Sequence, residues 1–196
     1  MTTEVIANPG KTGLLAFDDP HLRKPCVPWD FEKNTTEDAA KIGTLLIETS
    51  NKLGGAGLSA NQIGLPHKVF AMTVVDTEQY AVFNPEILEV SNQTILAEEG
   101  CLSVPGLWIK VKRPEIVKVR YFTFKGEEIK ATLSGITSRV FQHEYDHMLG
   151  IQFTQRVSKM KFEMAVKKYK KQMIKKAKMT RFVTMNSDGE MKLENS

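Results

Sequence analysis

Residues 141–150, FQHEYDHMLG, place two histidines four apart with a glutamate directly after the first. On an α-helix, positions four apart lie one above the other on one face, so His143 and His147 can present two imidazoles to one ion. Glu144 can then reach a water held by that ion rather than the ion itself. Those are the parts of metal-assisted hydrolysis: a Lewis acid lowers the pKa of water, and a carboxylate takes the proton and later delivers it to a leaving amine. The competing reading is an amphipathic helix with one core and one solvated histidine, because three fixed positions also recur by chance.

A catalytic zinc-like site takes three protein ligands plus water. No histidine follows His147, so a third ligand has to be sought upstream. The stretch EEGCLSVPG, residues 98–106, offers Cys101. Its thiolate would reduce the net charge of an ion; the alternative is a small buried apolar residue, the common state of a free cysteine. A further stretch, GGAGLSANQIG at 54–64, combines Gly55 and Gly57 with Gln62. The glycines let another backbone approach, and the glutamine amide can hold a carbonyl oxygen as charge develops on it. Spacing alone favours the plainer reading of that stretch, a helix C-cap followed by a turn.

The elements that must position these residues are legible in outline. Thr35 with Asp38 three later resembles a capping box, and Ile42, Leu45, Leu46, Thr49 and Leu53 keep helical spacing until Gly54 and Gly55 stop it. KVFAMTVVD and QYAVFNPEI read as neighbouring strands. LWIKVK, EIVKVRYFTF and IKATL follow as short antiparallel strands, the last two joined by a KGEE turn. Ser134 can cap a second helix, carrying His143, Glu144 and His147, that ends at Gly150. Ser158 can start a third. The fold class this predicts is α+β: short antiparallel or mixed sheets around a central helix bearing the histidines, with an N-terminal helix and a C-terminal basic helix.

At 196 residues the chain is expected to form one globular domain over 1–157, a basic helix over 158–180 packed on it, and a flexible tail over 181–196. No apolar run approaches the roughly 18 residues of a membrane span, and the N-terminus lacks the pattern of a secretory signal, so a cytoplasmic protein is expected. The two cysteines, Cys26 and Cys101, are expected to stay reduced. Charge is uneven: residues 151–196 hold 12 Lys+Arg against 4 Asp+Glu, while residues 1–150 hold 15 against 19. That separates two surfaces.

Taken together and in this order, three stretches resemble the peptide deformylase family, whose pattern runs Gly-hydrophobic-Gly-hydrophobic-Ala-Ala-any-Gln, then Glu-Gly-Cys-hydrophobic-Ser, then Gln-His-Glu-any-Asp-His. They stand here as Gly55–Gln62, Glu99–Ser103 and Gln142–His147, within a resemblance covering roughly residues 18–155. The resemblance implies that Cys101, His143 and His147 bind one divalent metal ion, Fe2+ natively in many members, with Zn2+, Ni2+ or Co2+ able to replace it. It implies Glu144 as general acid/base, with Gln62 and the Leu102 N–H as oxyanion stabilisers. The implied substrates are N-formylmethionyl peptides, cleaved to formate and a free N-terminus. Their extended backbone would pair near Gly57 and beside Gly100, next to Gly55, with a methionine pocket walled by Ala56, Leu102, Val140 and His143.

Three positions depart from the pattern: Ser59 replaces the first alanine, Asn61 stands where proline or threonine is usual, and Ala56 where a larger aliphatic is. None removes a catalytic atom. Asp146 is expected to pair with Arg113 and brace the helix. Nine lysines between 159 and 178, against one acid, give the third helix a basic face for ribosomal RNA or for solvent. A monomer is the simplest expectation. The rival readings are a helical zincin endopeptidase, which the missing downstream ligand opposes, and an RNA-associated or inactive relative, which Glu144 and Gln62 oppose.

Overall fold

The computed structural model describes residues 13–73, 79–181, 183–185 and 191–193, with side chains as far as Lys175. Helix α1, Thr36–Lys52, begins as expected. The Asp38 N–H donates to Thr35 Oγ1 at 3.1 Å, and the Thr35 N–H donates back to the Asp38 carboxylate at 3.0 Å. Ala39, Ile42, Gly43 and Leu46 form its buried face. Gly43 is needed for close docking, because a Cβ there would lie 3.0 Å from Cβ of Ala81.

That face packs on a five-stranded antiparallel sheet in the order β1-β2-β3-β6-β7. The strands are β1 Gly57–Ser59, β2 Val69–Thr73, β3 Gln79–Val90, β6 Ile116–Phe122 and β7 Glu128–Ser134. Strand β2 is apolar and buried from Val69 to Met72 because both its faces are covered there. Val69 and Ala71 join the α1 side of the core with Leu46, Leu58 and Phe83. Phe70 and Met72 join the opposite side with Val117, Val119, Phe141 and Met148. Phe141 and Met148 belong to α2, Gly135–Met148, so the sheet lies between the two helices and holds α2 along one face. In β3, Asn84 adopts φ 47° before Pro85, where the register with β6 shifts. Its side-chain amide accepts from the Trp29 N–H at 2.7 Å and donates to the Trp29 carbonyl at 2.9 Å, imitating a strand pair with the N-terminal segment.

A second, two-stranded sheet pairs β4 Thr94–Glu99 with β5 Ile109–Pro114. Beneath it lies a third cluster of Phe17, Val104, Leu107, Ile109, Val111, Phe153 and Tyr169. Tyr169 comes from α3, Lys159–Arg181, which docks here through Phe162, Ala165 and Tyr169 and leaves Lys159, Lys161, Lys167, Lys168, Lys171 and Lys175 exposed. The architecture is the expected α+β, with differences of detail. Strands β1 and β4 were not anticipated: each is short, and β4 is polar at the end that carries Glu98 and Glu99. The expected strand at 68–76 is described only to Thr73, the remainder lying outside the described residues. Where the sequence suggests a tail, Val183–Met185 and Met191–Leu193 pair as β8 and β9, and the rest of 182–196 lies outside the described residues. Among the described residues no helix is long and apolar enough to cross a membrane.

Candidate active site

Helix α2 carries His143 and His147 on one face, and the turn after β4 brings Cys101 to it. Ligand atoms of the three residues all lie within 4.8 Å of one another, with Cys101 Sγ 3.5 Å from His147 Nε2. The two imidazoles are almost fully buried. His143 Nδ1 lies 3.2 Å from a Glu99 carboxylate oxygen, an arrangement that places the proton on Nδ1 and turns Nε2 toward the cluster. Burial holds His147 well below the usual imidazole range and therefore neutral, as a ligand must be. Two nitrogens and one sulfur at this spacing fit a divalent ion of the zinc or iron type. Glu144 Oε2 and His147 Nδ1 are both buried and have no hydrogen-bond partner among the described residues.

A buried charge cluster braces these ligands from behind. Glu99 accepts from Arg113 Nε at 2.9 Å, Arg113 Nη2 at 2.8 Å and Arg139 Nη1 at 2.6 Å. Arg113 also donates to Asp146 at 2.6 Å, as the sequence suggests, and Arg156 grips the same carboxylate through its Nε at 2.9 Å and through Nη2. Burial pushes the Glu99 carboxyl up, but hydrogen bonds from Arg113 and His143 outweigh it and hold the group far below the usual carboxylate range. Glu99 is therefore a fixed anion behind His143. Arg139 further donates to the carbonyls of Val111 and Ile95, tying α2 to the second sheet.

Across the cluster stands the turn after β1. Gln62 Oε1 accepts from the Ser59 N–H at 3.0 Å, and its Nε2 points at Cys101 Sγ (3.3 Å) and Ser103 Oγ (3.1 Å). Glu144 lies against Gly57, where a Cβ would sit 2.6 Å from Glu144 Oε1. Burial pushes the Glu144 carboxyl up to about 7. Gly55 is equally confined, since a Cβ there would lie 2.6 Å from Leu102 Cδ1. Gly100 lies under the indole of Trp108, with three ring atoms at 3.1–3.2 Å from a Cβ position.

These groups face a cavity of roughly 470 Å³. Gly55, Ala56, Gly57, Gln62, Gly100, Cys101, Leu102, Val140, His143 and Glu144 all line it, so every residue to which the resemblance gives a metal, catalytic or substrate role, except His147, borders the space. His147 closes the ligand cluster from beneath. Sequence reading missed Arg139 as a cavity wall and Glu99 as the partner of His143. It also missed the rim residues Trp108 and Ile136, 61% and 57% exposed. The signal for Arg139 was present: an arginine one turn before His143 cannot be buried without carboxylate or carbonyl partners.

The sequence pattern of the polypeptide deformylase family matches residues 12–163. The peptide deformylase of Thermotoga petrophila is 40% identical over 146 residues, covering 74% of this chain and 86% of that protein. That of Phenylobacterium zucineum is 40% identical over 162 residues, covering 81% and 94%. Among solved structures, peptide deformylase from Thermotoga maritima matches with a TM-score of 0.69 at 39% identity, over 74% of this chain and 96% of that one. The enzyme from Thermus thermophilus matches with a TM-score of 0.74 at 32% identity, over 83% and 95%. With a matching sequence pattern, relatives at this identity and solved folds that superpose on it, the chain belongs to the polypeptide deformylase family of metallohydrolases, which remove formyl groups from peptides.

Proposed function

We propose that deformylation runs on the residues gathered at this cavity, with Cys101, His143 and His147 holding the metal and Glu144 moving the proton. The observation that carries the reading is the buried Glu144 carboxylate, seated against Gly57 with one oxygen unpartnered among the described residues, beside the three-residue cluster. When bound, a divalent ion supplies Lewis-acid activation of water and of the formyl carbonyl. Glu144 takes the proton of the attacking water and returns it to the amine nitrogen as the carbon–nitrogen bond breaks, leaving formate and a free N-terminus. Gln62 Nε2 and the Leu102 N–H donate to the carbonyl oxygen as negative charge develops there. Gly55, Gly57 and Gly100 allow an extended substrate to pair along the cavity, and Ala56, Leu102, Val140 and His143 wall the methionine side chain. Formate release from formyl-Met-Ala-Ser by anaerobically purified protein tests the mechanism; undiminished release by Glu144→Ala would refute it.

The same reading takes Fe2+ as the native ion, with Zn2+, Ni2+ or Co2+ accepted by the nitrogen–sulfur donor set. It places formylmethionyl nascent chains in the cytoplasm as substrates of a monomer, with residues 1–157 as the catalytic body. The exposed lysines of α3 between Lys159 and Lys175 support contact with ribosomal RNA. Co-sedimentation with ribosomes across a salt series checks this, and binding indifferent both to salt and to deletion of residues 158–196 would sink it.

A further inference from the structure

The pattern departs from its family at positions 59 and 61, and both residues are fully or almost fully buried. Ser59 Oγ lies 2.7 Å from Asn61 Oδ1 and 3.0 Å from Gln62 Oε1. Asn61 Nδ2 donates to the His147 carbonyl at 2.9 Å, in the last turn of α2. A continuous chain of buried polar groups therefore runs from the Gln62 amide through Ser59 and Asn61 to the backbone of His147. We propose that Ser59 and Asn61 are positioning residues, which hold the Gln62 amide in register with α2 and fix which of its ends faces the cavity. This rests on the reading of Gln62 as the oxyanion donor.

The donor and acceptor inventory leaves little freedom. The bond to His147 uses the Asn61 amine, so its Oδ1 must turn toward Ser59. The single hydroxyl proton of Ser59 then lies between two carbonyl oxygens, Asn61 Oδ1 and Gln62 Oε1. Gln62 Oε1 also accepts the Ser59 backbone N–H, so a flipped amide would set its NH2 group against that N–H. The surviving orientation points Nε2 at Cys101 and the cavity. Hydrogen bonds to an amide oxygen also draw charge from its nitrogen and strengthen the N–H donors, and a dry site amplifies the effect. The alanine of the family pattern has no hydroxyl at position 59, and neither proline nor threonine at 61 has an amide to reach His147.

The test uses full-length, metal-loaded protein carrying Ser59→Ala, Asn61→Ala, both together, or Gln62→Leu. Each single variant at positions 59 and 61 is expected to lower kcat about 3- to 10-fold, the range of one hydrogen bond, with KM within about twofold. Because the two act as one chain, the double variant is expected to fall no further than the worse single. Losses that multiply, losses confined to KM, or an unchanged kcat would overturn the proposal. An independent readout is the order of the Gln62 side-chain amide in nitrogen-15 relaxation of the zinc-loaded protein, which should drop in both single variants. Unchanged order in both would overturn the positioning role whatever the rates. Full kcat in Gln62→Leu would instead refute the oxyanion reading, leaving the relaxation data to decide whether Ser59 and Asn61 hold this side chain.

Discussion

Replacing Gly57 by alanine tests the core of the site, because the added methyl has a computable collision. Its Cβ would lie 2.6 Å from Glu144 Oε1 and 3.0 Å from both Cδ and Cγ, against an ordinary contact of roughly 3.5 Å. Something must give by about 0.9 Å. Gly57 is held in the β1–β2 ladder opposite Met72, and the α2 backbone is locked by its helix, so the Glu144 carboxylate is the part that moves. Overpacking of this kind costs about 1–3 kcal/mol of stability, and misplacing a catalytic group by about 1 Å costs on the order of 100-fold in rate. Gly57→Ala is therefore expected to fold with a lowered melting temperature and full metal content. Its kcat for formate release should fall about 100-fold with the displaced Glu144 carboxylate, while metal content is kept because none of Cys101, His143 and His147 is among the atoms nearest the new Cβ. Adding Glu144→Asp shortens the offending side chain by one methylene and should recover the lost stability without the rate. Full kcat in Gly57→Ala would refute the reasoning, and so would a loss lying wholly in KM, which would leave Gly57 its substrate-pairing role alone and no part in seating Glu144.

Glu99→Gln removes the anion behind His143 and is expected to weaken metal binding about 10- to 100-fold, read by competition with a chromogenic chelator. Arg113→Met leaves Glu99 and Asp146 each short of a buried partner and should cost about 3 kcal/mol or more in denaturant unfolding, far beyond any surface Arg→Met change. The capping-box carboxylate of Asp38 is held below its ordinary value of 3.8 by its hydrogen bonds with Thr35. A depressed folded-state pKa contributes stability above the ordinary value and loses it as pH falls through the lowered one. The melting-temperature gap between wild type and Asp38→Asn should therefore be constant near neutrality and close below about pH 4.

Much of this was legible because it is local. The Thr35–Asp38 box, the apolar run of β2 and the spacing of the two histidines depend on neighbours in the chain, and each appears where the sequence suggests. Cys101 was found by chemical need, and the structure brings it to the histidines. What stayed hidden depends on contacts between distant segments. Strand β1 is three residues long and exists only because β2 pairs with it. Gly57 reads as a turn residue in the sequence, whereas its absent side chain is the space that Glu144 fills. Glu99 is one acid of a Glu–Glu pair until Arg113 from β5 and Arg139 and His143 from α2 arrive to surround it.

That same set of charges has a consequence for how the molecule assembles. Glu99 and Asp146 meet three arginines across sequence separations of 10, 14, 33 and 40 residues, drawn from β4, β5, α2 and the turn beyond it. Any arrangement in which the β4–β5 hairpin approaches α2 without all five groups in place buries a charge lacking its counterpart, which costs several kcal/mol. A loosely docked hairpin is thus no resting point on the way to the native state. The small sheet and α2 must lock together in one cooperative step, and the Cys101–His143–His147 cluster comes into being only when they do.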